Sequence, residues 1–312
     1  MAETTSGGQR HEVAVRRARA GDRDEVLAFC ATTWPNGDYI EYVWDEWLAD
    51  EEGALLVAAV DERPVAIVHV RMMSRDEAWL EGMRVNPAER RRGIGGTLTS
   101  RALVAARERG ATVARLFVDS DNTVSQQLVS RFGLQRVAEV VRYTAPALMP
   151  EDERAAGTPG SDEALAGAQI SVPDASAFER IWLWLTQSNL TPFSGGLEYD
   201  EWSARALTEP RLREYLERHE VLLLEEWETI LALAVSREIP ADGDEPPRLD
   251  IRYADGQADG LGRLALVLRK LAAQRGLARV DLWLPDLLIL RDALDGAGYT
   301  HGATMLVYAR TL

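Results

Sequence analysis

The chain has 312 residues, 46% of them apolar, one cysteine, and a formal net charge of −15. That length accommodates two domains of ordinary size, a lone cysteine excludes a disulfide framework, and the acid excess argues against nucleic acid, whose phosphates need a basic surface. No apolar run reaches membrane-spanning length and the first ten residues are polar, so the expectation is a cytoplasmic protein with no membrane partner.

In chain order, the pattern predicts a strand at Glu12–Arg17, an acidic helical stretch from Asp22 to Trp47, and strands at Ala54–Val60, Val65–Met72 and Ala78–Val85. The last strand runs through Asn86 and Pro87 into Arg90-Arg91-Arg92-Gly93-Ile94-Gly95-Gly96, and a helix over Thr97–Arg109 follows, stopped by Gly110. Successive glycines let backbone N–H groups converge without interference from Cβ, and the first turn of a helix presents unpaired donors at the positive end of its dipole. The arrangement is an anion cradle, and phosphates suit it. A P-loop would need Lys-Ser/Thr where Gly96 and Thr97 stand, and a dinucleotide fingerprint begun at Gly93 would need glycine where Leu98 stands.

The run Arg90-x-x-Gly93-x-Gly95 after a strand ending Val85-x-Pro87 resembles the pyrophosphate loop of the GNAT superfamily of acetyl-CoA-dependent N-acetyltransferases. The succeeding elements follow that family's order: a strand at Val113–Val118, Asn122, a short helix containing Leu128, and Gly133-Leu134. The resemblance spans roughly Val13–Tyr143. It implies acetyl-CoA as cosubstrate, held by the backbone of Met83, Arg84 and Val85, by Arg90, Arg91, Arg92, Gly93, Ile94, Gly95 and Gly96, and by Asn122, with no metal. It also implies transfer of the acetyl group to a primary amine by direct attack in a ternary complex.

An amine attacks only when neutral, and an ordinary primary amine arrives protonated, so a base is needed. Glu81, within Leu80-Glu81-Gly82-Met83-Arg84-Val85, is the first candidate; strict alternation puts it on the face of Met83 and Val85, and Gly82 marks a bulge. A salt-bridged strand residue is the competing reading. The family's usual acid for the leaving thiolate is a tyrosine where this chain has Val129, which leaves Tyr143 or water. Between the first two strands, Trp34, Asp38 and Tyr39 stand beside Asn36, Glu41, Tyr42, Asp45 and Glu46; carboxylates among aromatics suit a cationic amine, and they equally suit the wet face of a helix. His69 either lines the acceptor pocket or is structural. Cys30 reads as core, and His11, His219 and His301 make no metal-ligand spacing.

Residues 146–167 have linker composition, after which the plan restarts. The second half predicts a strand at Gln169–Val172, a helix carrying Phe178, Ile181, Trp182 and Leu185, an acidic helix over Tyr199–His219, strands at Val221–Glu226, Ile230–Val235 and Arg248–Tyr253, a helix over Leu264–Gln274 stopped by Gly276, and a strand at Ala278–Leu284. The reading is therefore α/β (α+β) with tandem domains, each a mixed, mostly antiparallel sheet flanked by helices: a catalytic domain over 1–149, a linker over 150–167, and a degenerate copy over 168–312. Aligning the copies through Gly110 and Gly276 sets Ala258 and Asp259 opposite Arg92 and Gly93, so the second copy should not bind coenzyme A. The expected partner is a small-molecule amine, acting on a monomer or homodimer. A non-catalytic acetyl-CoA sensor and a protein N-terminal acetyltransferase remain as alternatives.

Overall fold

The computed structural model describes residues 13–31, 33, 37–149 and 167–312. Trp34 and nearly all of the anticipated linker lie outside them. Two compact units form: residues up to Leu116 with Thr123–Gln135 and Ala309–Leu312, and Phe117–Asn122 with Arg136–Tyr308. These units do not follow the two halves of the sequence. The strand Gln135–Pro146, within the 1–149 expected for the first domain, lies almost wholly in the second unit, and residues 309–312 lie in the first.

In the first unit β1 (Val13–Arg17), β2 (Ala54–Val60), β3 (Arg63–Met72), β4 (Glu77–Val85) and β5 (Val113–Asp119) are neighbours in that order. The first four are antiparallel and β5 runs parallel to β4. β2 and β3 are buried along almost their whole length, the mark of strands covered on both faces. The anticipated helical stretch is two helices, α1 (Arg23–Cys30) and α2 (Ile40–Ala49), whose Val26, Phe29, Ile40, Trp44 and Trp47 pack on Leu55, Val57 and Ile67. α3 (Ile94–Glu108) packs on β2, β3 and β4, and α4 (Thr123–Arg131) follows β5. Leu312 N–H donates to the Thr112 carbonyl and Arg310 to that of Phe132, so the chain end is stitched into this unit.

The second unit repeats the plan. β7 (Gln169–Ser171), β10 (Val221–Glu226), β11 (Thr229–Ile239), β12 (Arg248–Gly256) and β13 (Arg279–Pro285) run in the same spatial order, with β13 parallel to β12. β6 (Gln135–Pro146) pairs antiparallel with β13, and β14 (Thr300–Thr311) lies beyond it. The repetition extends to turn chemistry. Both β-hairpins turn through two consecutive left-handed residues, Asp61 and Glu62 in one copy and Trp227 and Glu228 in the other. Helices α3, α4, α8 (Ala258–Gln274) and α9 (Leu288–Gly296) all end at left-handed glycines, Gly110, Gly133, Gly276 and Gly298, each followed by an N–H bonded five residues back.

One anticipated element differs. The helix expected over Tyr199–His219 is a hairpin, β8 (Leu197–Asp200) and β9 (Ser203–Ala206), followed by a shorter helix, α7 (Glu209–Glu217). Two further helices precede it, α5 (Phe178–Thr186) and α6 (Thr191–Ser194). The hairpin forms because Tyr199 and Ala204 bury one face, while Glu198, itself 2% exposed, is held by Arg205, Arg211 and the Tyr215 hydroxyl. No described helix is long and apolar enough to cross a membrane, and no described cluster of three His, Cys, Asp or Glu could hold a metal.

Candidate active site

The site begins with an interruption in β4. His69 pairs with Glu81 and Ile67 with Arg84, so two residues, Gly82 and Met83, oppose Val68 alone. Gly82 has φ +66, and a Cβ there would sit 2.4 Å from the Trp47 ring, so only glycine fits both the backbone and the approach of α2. The extra residue resets the alternation. Glu81 therefore shares its face with Arg84, the face of α1 and α2, and the expectation that it would share one with Met83 and Val85 is corrected.

β4 is also split from its neighbour. Pairing with β5 covers only Glu77–Trp79 against Val113–Arg115, locked by Arg115 donating to Glu77 at 2.8 Å. From Leu80 to Val85 that edge of β4 has no ladder partner on β5, which leaves an open backbone edge for an extended ligand. At its end Asn86 caps a turn by accepting from Ala88, the chain passes through Arg91 at φ +65, and Gly93 at φ +82 caps α3. The first bond within α3 runs from Thr97 to Gly93, so the first turn, Ile94 to Gly96, is the donor-rich end anticipated for phosphate.

The glycines divide the work. Gly93 supplies the left-handed conformation, and a Cβ there meets nothing within 4 Å. A Cβ on Gly95 would instead meet Leu128 at 3.4 Å and Val85 at 3.7 Å, and one on Gly96 would meet Phe132 at 3.2 Å. Those two let α4 and the residues after it close on α3. The arginines divide as well: Arg90 leans back on the Val85 carbonyl at 3.4 Å, Arg92 pairs with Glu89, and Arg91 is exposed.

Behind the open edge lies a line of three titratable groups. His69, 2% exposed, places Nδ1 2.9 Å from Glu81 Oε1 and Nε2 3.0 Å from Asp50 Oδ2. Trp47 stacks on its ring at 4.6 Å between centroids, so imidazole orientation is fixed from three sides. Asp50 Oδ1 accepts from the Gly53 N–H at 2.8 Å. Glu81 is thus a paired strand residue, as the competing reading has it: its side chain keeps 19% exposure and one oxygen on His69. Asp50 was not among the residues the sequence singles out. Nothing marks it inside Asp50-Glu51-Glu52.

Other anticipated residues fall differently. Asp38 forms a two-pronged pair with Arg84, 2.7 Å and 3.1 Å, and its side chain is 2% exposed, so it braces Arg84 and is committed before any amine arrives. Burial opposes charge on Arg84, yet the Asp38 bond holds its pKa above the ordinary value. Tyr39 lies under the Arg84 guanidinium at 5.3 Å and edge-on to Trp47, 43% exposed. Glu41, Tyr42, Asp45 and Glu46 form the wet face of α2. Cys30 is core, its thiol pushed up to about 12 by burial. Val129 is buried. Tyr143 is fully buried in the core of the second unit, its hydroxyl pushed up to about 12, and Asn122 is an exposed residue at the turn after β5.

The counterpart in the second unit has lost the cradle. Eight residues separate β4 from α3, but only Gln257 separates β12 from α8. Asp255 is buried in β12 and holds Ser188 at 2.6 Å and the Tyr253 hydroxyl at 2.8 Å. Asp259 sits exposed in the first turn of α8. There is no loop to wrap a pyrophosphate and a carboxylate stands at the helix start.

Comparison with known proteins agrees with this geometry. Residues 23–134 match the acetyltransferase (GNAT) family. The chain is 30% identical over 129 residues to the human protein "Probable N-acetyltransferase 16", a match covering 40% of this chain and 35% of that one, so it spans about a third of that relative. It is 26% identical over 130 residues to L-2,4-diaminobutyric acid acetyltransferase of Nocardia farcinica, covering 41% of this chain and 67% of that protein. A GCN5-related N-acetyltransferase of Sphaerobacter thermophilus shares the fold with a TM-score of 0.61 and 13% identity over 96% of this chain and 95% of its own.

Proposed function

We propose that this chain, whose residues 23–134 match the acetyltransferase (GNAT) family, transfers the acetyl group of acetyl-CoA to the primary amine of a small cationic acceptor, by direct attack in a ternary complex. The observation that carries this reading is the partly exposed Glu81 carboxylate beside the stretch of β4 that has no partner on β5. In it, the open edge of β4 takes the pantetheine arm, one N–H between Met83 and Val85 polarises the thioester carbonyl, and the Gly93 turn takes the pyrophosphate. Glu81 takes the proton the amine must lose. The relative that acts on diaminobutyric acid supports a small acceptor carrying positive charge, and the acidic, aromatic surroundings of Glu81 suit one.

The test is thiol release from acetyl-CoA across a panel of amines containing L-2,4-diaminobutyrate, other diamines, amino acids and peptide N-termini. Saturable release with a small cationic amine is expected; release only with peptides would move the assignment to a protein N-terminal acetyltransferase. A second reading has one observation in its favour. Val129 is buried where the family's tyrosine is expected and Tyr143 is sealed in another core, so neither position offers a hydroxyl to the thiolate. Tight acetyl-CoA binding with no transfer to any amine would make the chain an acetyl-CoA sensor.

The cradle has its own test. In Gly93→Ala the new Cβ has room, but the left-handed conformation costs roughly 1–2 kcal/mol, so acetyl-CoA should bind roughly five- to thirtyfold more weakly. Calorimetry giving the wild-type affinity would place the pyrophosphate elsewhere.

A further inference from the structure

We infer that Asp50, His69 and Glu81 form a proton relay in which Asp50 is a positioning residue acting through His69 on the base. The inference rests on Glu81 as the base and extends it. The geometry is a buried imidazole between two carboxylates at hydrogen-bonding distance, with the two ends of the line partly wet: side-chain exposure is 19% at Glu81, 2% at His69 and 23% at Asp50.

The proton count makes the argument. A neutral imidazole has one N–H and one lone pair, whereas an ionised carboxylate only accepts. With both carboxylates ionised and His69 neutral, one of the two short contacts must set a lone pair against a carboxylate oxygen. Uptake of one proton removes that conflict, because an imidazolium donates at both nitrogens. The line is therefore one proton short, and an amine nitrogen at Glu81 can supply it. As the N–C bond forms and the C–S bond breaks, the amine N–H bond breaks and its proton lands on Glu81, then on Nδ1, while Nε2–H donates to Asp50; no electrons change hands and the departing thiolate is protonated separately. Afterwards the proton leaves to water from the wet ends.

Charged groups around the line are few. Arg17 reaches the carbonyls of Asp50 and Gly53, and Arg109 that of Gly53, so both cations face the Asp50 turn. On the Glu81 side stand Tyr39 and the Arg84–Asp38 pair.

Asp50→Asn keeps the acceptor for Gly53 N–H and offers an amide donor to Nε2, which satisfies a neutral His69 and abolishes the missing-proton condition. With L-2,4-diaminobutyrate or the best amine of the panel, kcat should fall roughly tenfold and the acid limb of kcat/KM should move down by about one pH unit, because the line then holds its proton less strongly. The amine KM should change less than twofold. In a His69→Gln background, Asp50→Asn should shift the limb no further. Nitrogen NMR of labelled histidine in the full chain, without any amine, should show both His69 ring nitrogens protonated in the wild type only at pH below its acid limb, and at that same pH only Nδ1 protonated in Asp50→Asn. An unmoved limb, an additive shift, or the same ring state in both proteins overturns the relay. Normal turnover in Glu81→Gln would instead remove the base on which it rests, which separates the two failures.

Discussion

Glu81→Gln should lower turnover by roughly a hundredfold or more, since a positioned base contributes on the order of 10²–10⁴, and should leave acetyl-CoA affinity within about twofold of the wild type. The amide has nearly the shape of the carboxylate and can still meet His69 Nδ1, so β4 and its bulge keep their form. What is lost is the capacity to hold a proton between amine and imidazole. The remaining activity should rise with pH as the free amine becomes more abundant, whereas the wild type should reach its plateau lower. Wild-type turnover across the whole range would pass the proton to His69 or to ordered water.

A chain ending at Met149 should fail to give a cooperative unfolding transition and should precipitate on expression. Its β6 would lose β13, against which Val140 to Pro146 pair residue for residue with Pro285 to Arg279. That leaves Val140, Val141, Tyr143 and Ala145, all fully buried in the intact protein, on an unpaired strand, which is a template for aggregation. The first unit would lose the Arg310 and Leu312 bonds at the same time. A soluble fragment melting near the wild-type midpoint and turning over amine would show that the first unit needs none of this.

The glycine-rich turn before α3 and the order of elements were legible because their signals are local: three arginines, four glycine-dependent turns, and alternating runs bounded by them. Gly82 was legible as a bulge, but its consequence was not. Only the pairing of Ile67 with Arg84 reveals that Arg84, and not Met83, joins the face of Glu81. Long-range partners left no trace either. Asp38 and Arg84 are 46 positions apart and Asp50 and His69 are 19 apart, so no periodicity links them, and an acid inside an acidic run looks like solvated surface until its partner is seen. The strand at Gln135–Pro146 shows a similar limit. Its alternation announces a strand, while the choice of sheet depends on residues 279–285, which the local pattern does not contain.

The stitching of Leu312 to Thr112 sets a schedule for the nascent chain. Proteins built of successive domains ordinarily let the first one fold while the next is still being made. Here the sheet of the first unit waits for residues 309–312, which are made about two hundred residues after Thr112. Until they are made, β4 and its loop belong to an incomplete body. A stop codon just before residue 309 would therefore damage a unit whose other residues lie far earlier in the sequence.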